Sequence, residues 1–288
     1  MNGTSTRNRL ALSAAIGLLA AAAAAQSSAT VDEIVARVGA RVDEYFHRAE
    51  SIVCLERVMV QPIRSDLTPE GFARVLEYDL RVTWERSAGG ETPEAKVLRQ
   101  LRKINGRDAR AGAEPTCMDP KAVSPEPLAF LLPSKRDDYI FALSGAGRDR
   151  NRAALILTYK ARAFGKAEVT HTDDCTNIEL PGWMKGRIWA DPATHDVLRL
   201  EETLARRFDF RTPIEHARFG GDDTAVLERA DTSIRYRPVT FTDPDETVLL
   251  PESIESLTLV RGGGRIGNRT VQTFSGYKRF VTAGRLVK

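Results

Sequence analysis

Four groups of residues in this 288-residue chain have side chains and spacings suited to chemistry. The first is His171, Asp173, Asp174 and Cys175, which puts imidazole, carboxylate and thiolate ligands of the kind zinc takes within five positions. One short loop with no second ligand pair elsewhere reads better as a solvated loop than as a metal cage, so no metal is expected. The second is Gly262-Gly263-Gly264-Arg265-Ile266-Gly267, which fits the G-x-G-x-x-G spelling of a dinucleotide turn. Strand-like sequence flanks it on both sides where a strand and a helix would be required, so it reads as a hairpin loop, and no cofactor is expected. The third is Glu77, Asp79 and Glu85 along one strand face, where Arg74 and Arg81 interleave and point to cross-strand ion pairing rather than to a glycosidase pair. The last is His195 and His216, which sit in turn and loop sequence without a serine or cysteine in a triad order. No catalytic residue is assigned.

What remains is an apolar face made of Tyr78, Leu80, Val82 and Trp84 from one strand and Ile188, Leu198 and Leu200 from a hairpin. A cleft lined this way suits an acyl chain or another protein's apolar segment. An ordinary filled core fits the same residues, and the sequence leaves both readings open.

The elements that would carry this face are legible. Residues 185–204 hold a complete hairpin signal: Ile188 and Ala190 in the first arm, turn formers from Asp191-Pro192 to Asp196, then Leu198, Leu200 and Leu204 alternating with Arg199, Glu201 and Thr203. Residues 72–86 alternate cleanly, with Leu76, Tyr78, Leu80, Val82 and Trp84 on one side, as in an antiparallel strand with one solvated face. Asn105-Gly106 marks a two-residue hairpin turn. Upstream, Thr30 and Glu33 form a capping box, and Ile34, Val35, Val38, Val42, Tyr45 and Phe46 follow at spacings of three and four, which predicts an amphipathic helix to about residue 49. Residues 128–132 predict one or two helical turns plugging an end of the sheet. The stretches 163–181 and 210–223 read as irregular. Nine to eleven strands, one main helix and no alternating βα units predict an α+β, β-rich fold: a large curved antiparallel sheet, or half-barrel, packed against one N-terminal amphipathic helix.

The first 25 residues read as a signal peptide, with Arg7 and Arg9 ahead of an apolar run that ends at Ala23-Ala24-Ala25. Residues 26–288 are then expected as a single mature domain, periplasmic or secreted, without an integral membrane segment. Loss of the two arginines takes the formal charge from +3 to +1, which gives no electrostatic case for nucleic acid. Of the three cysteines, Cys54 lies in an apolar strand and reads as a buried free thiol, while Cys117 and Cys175 lie in loop-like sequence and are the expected disulfide pair.

An exported leader, one helix and then long antiparallel strands containing Gly186-Arg187-Ile188-Trp189-Ala190-Asp191-Pro192 and Val197-Leu198-Arg199-Leu200-Glu201 resemble the LolA/LolB-like half-barrel proteins of bacterial envelopes. Leu250-Pro251 and the closing Phe274-Ser275-Gly276-Tyr277-Lys278-Arg279-Phe280 fit the same pattern, while the 89–134 insert and the cysteines have no counterpart in it. The resemblance implies a sheet cradling a lipid or lipoprotein acyl chain with the helix as lid. The expected function is therefore non-enzymatic binding of a hydrophobic ligand, or of an envelope partner, in the concave face. A structural envelope protein with a filled core and a secreted hydrolase are the alternatives.

Overall fold

Turn chemistry folds nearly every strand back on its predecessor in the computed structural model, which describes residues 30–49, 52–85, 94–110, 126–172, 175–212, 224–242, 245–262 and 267–279. The chain divides into residues 1–30 and 31–288, and everything described except Thr30 lies in the second unit. The elements run α1 (Val31–Arg48), β1 (Ile52–Ile63), β2 (Arg74–Glu85), β3 (Glu94–Ile104) and β4 (Arg107–Asp108). A 3-10 helix (Glu126–Leu131) and α2 (Pro133–Arg136) follow, then β5 (Tyr139–Asp149), β6 (Arg152–Ala161), β7 (Glu168–Thr172), β8 (Cys175–Glu179), β9 (Met184–Ala190) and β10 (Val197–Leu204). The last are β11 (Phe208–Arg211), β12 (Thr224–Thr242), β13 (Asp245–Gly262) and β14 (Gly267–Arg279).

Twelve strands make one open, curved, antiparallel sheet in the order β4-β3-β2-β1-β14-β13-β12-β10-β9-β6-β5, with β11 also pairing β12. The predicted class holds: one large antiparallel sheet and one long helix. Three junctions are not hairpins. β1 pairs β14, which joins the first and last described strands, β10 pairs β12, and β6 pairs β9 because β7 and β8 leave as a separate two-stranded ribbon.

The pleat of the sheet produces one continuous row. Reading partner to partner across ten strands, Ile104, Leu76, Val58, Gln272, Ile254, Ile234, Leu200, Ile188, Leu157 and Leu143 stand opposite one another. Gln272 is its one polar member. The central residues are buried, while Leu143 at the edge is 40% exposed.

Local chemistry explains the turns. Asn105 (φ 50°) and Gly106 (φ 78°) take the left-handed backbone a two-residue hairpin needs, and Asn105 Oδ1 accepts the Val75 N–H at 2.8 Å. In the β9–β10 turn, Asp191 Oδ1 accepts the N–H groups of Ala193 (2.9 Å) and Thr194 (3.1 Å). Its carboxyl is lowered from the usual range although burial pushes it up, because those two N–H groups and Arg152 outweigh the burial.

Several expectations need correction. Among the described residues there are fourteen strands rather than nine to eleven. Residues 163–181 contain the β7–β8 ribbon, held because Val169 and Ile178 pack against Phe210, Ala225 and Leu227. Part of 210–223 is strand, since β11 continues to Arg211. β5 also runs unbroken through Gly145 and Gly147 and reverses only at Arg150 and Asn151, its register slipping between Leu143 and Gly145. The carboxylates on β2 do pair across strands, but with β3: Glu77 to Lys103 at 3.8 Å and Asp79 to Arg102 at 3.4 Å. Cys54 is a buried free thiol. Cys117, Asp173, Asp174, His216 and the side chain of Cys175 lie outside the described residues, as does the loop 263–266. No helix among the described residues is long and apolar enough to cross a membrane.

Candidate functional site

The 3.6-residue period of α1 turns Ile34, Val35, Val38, Val42, Tyr45 and Phe46 inward, and all six are buried. Beside α1, the 3-10 helix and the residue after it bury Leu128, Phe130, Leu131 and Leu132. The two pack without intervening side chains at Gly39, where a Cβ would stand 2.4 Å from the Leu131 carbonyl oxygen. A glycine is required there for the close approach. Phe130 then stacks on Tyr159 (ring centroids 4.3 Å apart), with Tyr139 and Phe141 around it.

The seven residues read from the sequence as a binding face do not form one patch. Tyr78, Leu80, Val82, Ile188, Leu198 and Leu200 are all buried, and the Trp84 side chain lies outside the described residues. Five strand spacings, roughly 24 Å along the sheet, separate β2 from β10. Ile188 and Leu200 stand directly opposite each other, whereas the register slips between Val197 and Arg199 and Leu198 packs with Ala154 and Trp189. Leu80 and Val82 meet Tyr45, Cys54, Phe274 and Tyr277 around a cavity of about 30 Å³, room for a water but not for an acyl chain.

The larger space lies on the other flank of α1. A cavity of about 350 Å³ separates the helix from β10, β12 and β13, near the lower end of the usual range for small-molecule sites. Val42, Tyr45, Leu128, Val197, Tyr236 and Val248 supply apolar walls. Arg41, Glu44, Arg48, Arg152 and Asp196 also line it. These charges form a seam. Arg41 binds Asp196 of the β9–β10 turn (2.8 Å) and Glu44; Glu44 binds Arg48 (3.1 Å); Arg48 reaches Glu246 of β13 (3.1 Å) and donates to the Thr247 carbonyl (2.8 Å). Glu246 in turn binds Arg279 of β14. One edge of α1 is thus tied to three parts of the sheet by half-exposed ion pairs, each contributing about 0.2–1 kcal/mol, rather than by packing alone. The Tyr45 hydroxyl, pushed well above its usual range by burial, has no hydrogen-bond partner among the described residues.

Two further polar groups are buried in the sheet. The Tyr159 ring crosses over Gly186, where a Cβ would lie 2.7 Å from it, and its hydroxyl donates to Glu202 Oε1 at 2.7 Å. Burial raises the Glu202 carboxyl, partly offset by that hydrogen bond. Glu56 is fully buried and paired with Arg99. His171 Nδ1 lies 2.8 Å from Thr176 Oγ1 in the β7–β8 ribbon, and His195 occupies the β9–β10 turn at φ 61°. None of the cavity's walls was read from the sequence as part of a site. The Arg41, Glu44 and Arg48 spacing was a local signal, but their partners on distant turns were not.

No family model matches the chain, and no curated relative does. Solved structures do. A DUF1329 family protein from Desulfovibrio piger is similar over 89% of this chain and 96% of its own, at 9% identity and a TM-score of 0.45. A LolA superfamily protein from Nitrosomonas europaea covers 91% of this chain and 99% of its own, at 11% identity and a TM-score of 0.34. A putative outer membrane lipoprotein-sorting protein domain from Vibrio parahaemolyticus covers 86% and 94%, again at 11% and 0.34.

Proposed function

We propose that residues 1–25 are a cleaved export leader and that residues 26–288 form one periplasmic or secreted domain. That domain binds, without catalysis, a hydrophobic ligand such as the acyl chain of a lipid or lipoprotein. The observation that carries this reading is the cavity of about 350 Å³ under α1, walled by apolar side chains with a charged seam along one side, and roofed by a helix whose outer edge is fastened by half-exposed ion pairs. The ion-paired edge of such a roof can loosen at low cost, because water replaces the lost ionic contacts, while the buried apolar stripe keeps the helix on the sheet. The ligand site is therefore placed between α1 and the strands β10, β12 and β13, not over β2. The burial of Tyr78, Leu80, Val82, Ile188, Leu198 and Leu200 favours the second reading, a structural envelope protein with a filled core.

Native mass spectrometry of the mature protein, isolated under mild conditions and then extracted with solvent, decides between the two. Binding predicts a released acyl-containing species, and its loss in Leu249→Trp, where a leucine lining the cavity becomes a larger apolar ring, in a variant that circular dichroism shows to be folded. A clean apo mass from both proteins, with no uptake of added dodecanoate, refutes ligand binding and leaves the filled-core reading.

A further inference from the structure

The two outer edges of the sheet are built differently. At one, β3 carries Glu94, Lys96, Arg99, Arg102 and Lys103, and β4 covers part of it. Charge and covering are how natural sheets refuse a foreign strand. At the other, β5 has no charged residue from Tyr139 to Gly147, and no described strand pairs with its outer side. The register slip after Leu143 limits the regular edge to residues 139–143, still the length of an ordinary strand. The Asp138 carbonyl accepts the Arg162 N–H at 2.8 Å. Bonded and non-bonded pairs alternate along an antiparallel ladder, so Tyr139, Phe141 and Leu143 turn their N–H and C=O groups away from β6. Ile140 and Leu143 are also 41% and 40% exposed.

The surface beside this edge is basic. Ile140 and Ala142 border a groove of about 450 Å³ on the face of the sheet opposite Tyr159. There Lys160 of β6 stands directly opposite Lys185 of β9, and neither has an ion-pair partner among the described residues. Arg187 beside them is paired with Glu201 at 2.8 Å. Like charges placed opposite each other weaken a sheet. A sheet that keeps them next to an uncharged open edge gains if an acidic strand docks there.

We propose that β5 is a docking edge for an extended acidic segment of a partner protein, which adds as a further strand at residues 139–143. Its Glu or Asp side chains, at alternate positions, would meet Lys160, which stands opposite Ile140 on β5, with Lys185 one strand further on. The incoming strand lies two spacings from β6, roughly 10 Å, within the combined reach of a glutamate and a lysine. A second copy of this chain is a poorer occupant, because it would bring its own lysine pair against this one. The site is independent of the ligand cavity and stands whether or not that cavity is filled.

Fluorescence anisotropy of the mature protein tests this with a labelled peptide alternating glutamate and valine, and with the same peptide carrying lysine for glutamate. The glutamate peptide binds saturably and the lysine peptide does not. Leu143→Pro weakens binding by about tenfold or more, since proline removes an N–H that β6 does not use and blocks the edge. Lys160→Glu with Lys185→Glu weakens it to a similar extent and admits the lysine peptide. If Leu143→Pro does not fold by circular dichroism, the exposed lysine pair carries the test alone. No binding of the glutamate peptide, or equal binding by the charge-reversed protein, overturns the proposal. So does a dimer in sedimentation that Leu143→Pro abolishes, which would assign the edge to a second copy.

Discussion

Removing Arg99 is the single change with the largest cost that can be worked out from the geometry. Glu56 has no exposed surface, and its carboxylate accepts two bonds from the Arg99 guanidinium, both at 2.8 Å, and one from Gln272 Nε2 at 2.9 Å. The guanidinium also lies 3.9 Å from the Tyr78 ring centroid. Arg99→Ala strands the carboxylate in the core with one neutral donor, which costs about 3–5 kcal/mol, and forfeits roughly 0.5–2 kcal/mol of cation–π attraction. The expected loss is about 3.5–7 kcal/mol, a large part of the roughly 5–15 kcal/mol that holds a protein folded. For a chain of this size that lowers Tm by roughly 7–28 °C. Urea unfolding of the mature protein, followed by circular dichroism and tryptophan fluorescence, measures it. The same reasoning predicts that Glu56→Gln combined with Arg99→Met stays within about 1–2 kcal/mol of the parent, because both the charge and its partner are gone. A loss below about 1 kcal/mol for Arg99→Ala alone would mean that water reaches Glu56 and that the pair is not buried.

Glu202→Gln should flatten the pH dependence of stability. Burial raises the native Glu202 carboxyl, so the folded state holds its proton more tightly than the unfolded chain does. Stability from this group is full below the ordinary carboxylate range and is lost as pH rises through the folded value. Glutamine still accepts the Tyr159 hydroxyl, so the variant should match the parent in acid and exceed it at neutral pH in urea melts; parallel curves would contradict the assignment. Cys54 should resist alkylation in the native state, because burial first and then the Glu56 carboxylate push its thiol up to about 12, against a small opposing effect of the Tyr277 hydroxyl. Iodoacetamide at roughly pH 8 should modify it on the order of 100-fold faster in urea, and rapid native labelling read by mass spectrometry would show the strand to be open.

The parts of the fold that the sequence disclosed are those specified by neighbours. The helix of 31–48 follows from the Thr30–Glu33 capping signal and a 3.6-residue stripe, β2 from a run of strict alternation, and the turns from the left-handed backbone of Asn105-Gly106 and from the Asp191 side chain, which bonds N–H groups of its own turn. The strands that were missed lack those signals. β7, β8 and β11 are short and only weakly alternating, and they become strands because Val169, Ile178 and Phe210 find a common cluster on β12. Leu198 looked equivalent to Leu200 by alternation alone, but a one-residue register slip gives it different neighbours.

The amino-acid order by itself determined that this chain makes one long amphipathic helix and many antiparallel strands with a buried face, since hydrophobic period and turn chemistry act over a few residues. Where a cavity remains between them was settled only in three dimensions. Its walls come from α1, residue 128, the β9–β10 turn and the middle of β12 and β13, and the contacts that place them, such as Arg48 with Glu246 and Arg41 with Asp196, join positions more than 150 residues apart. Periodicity carries no information at that range. The order in which the strands pair, the segment that lies over them and the space left unfilled follow from packing the whole sheet at once.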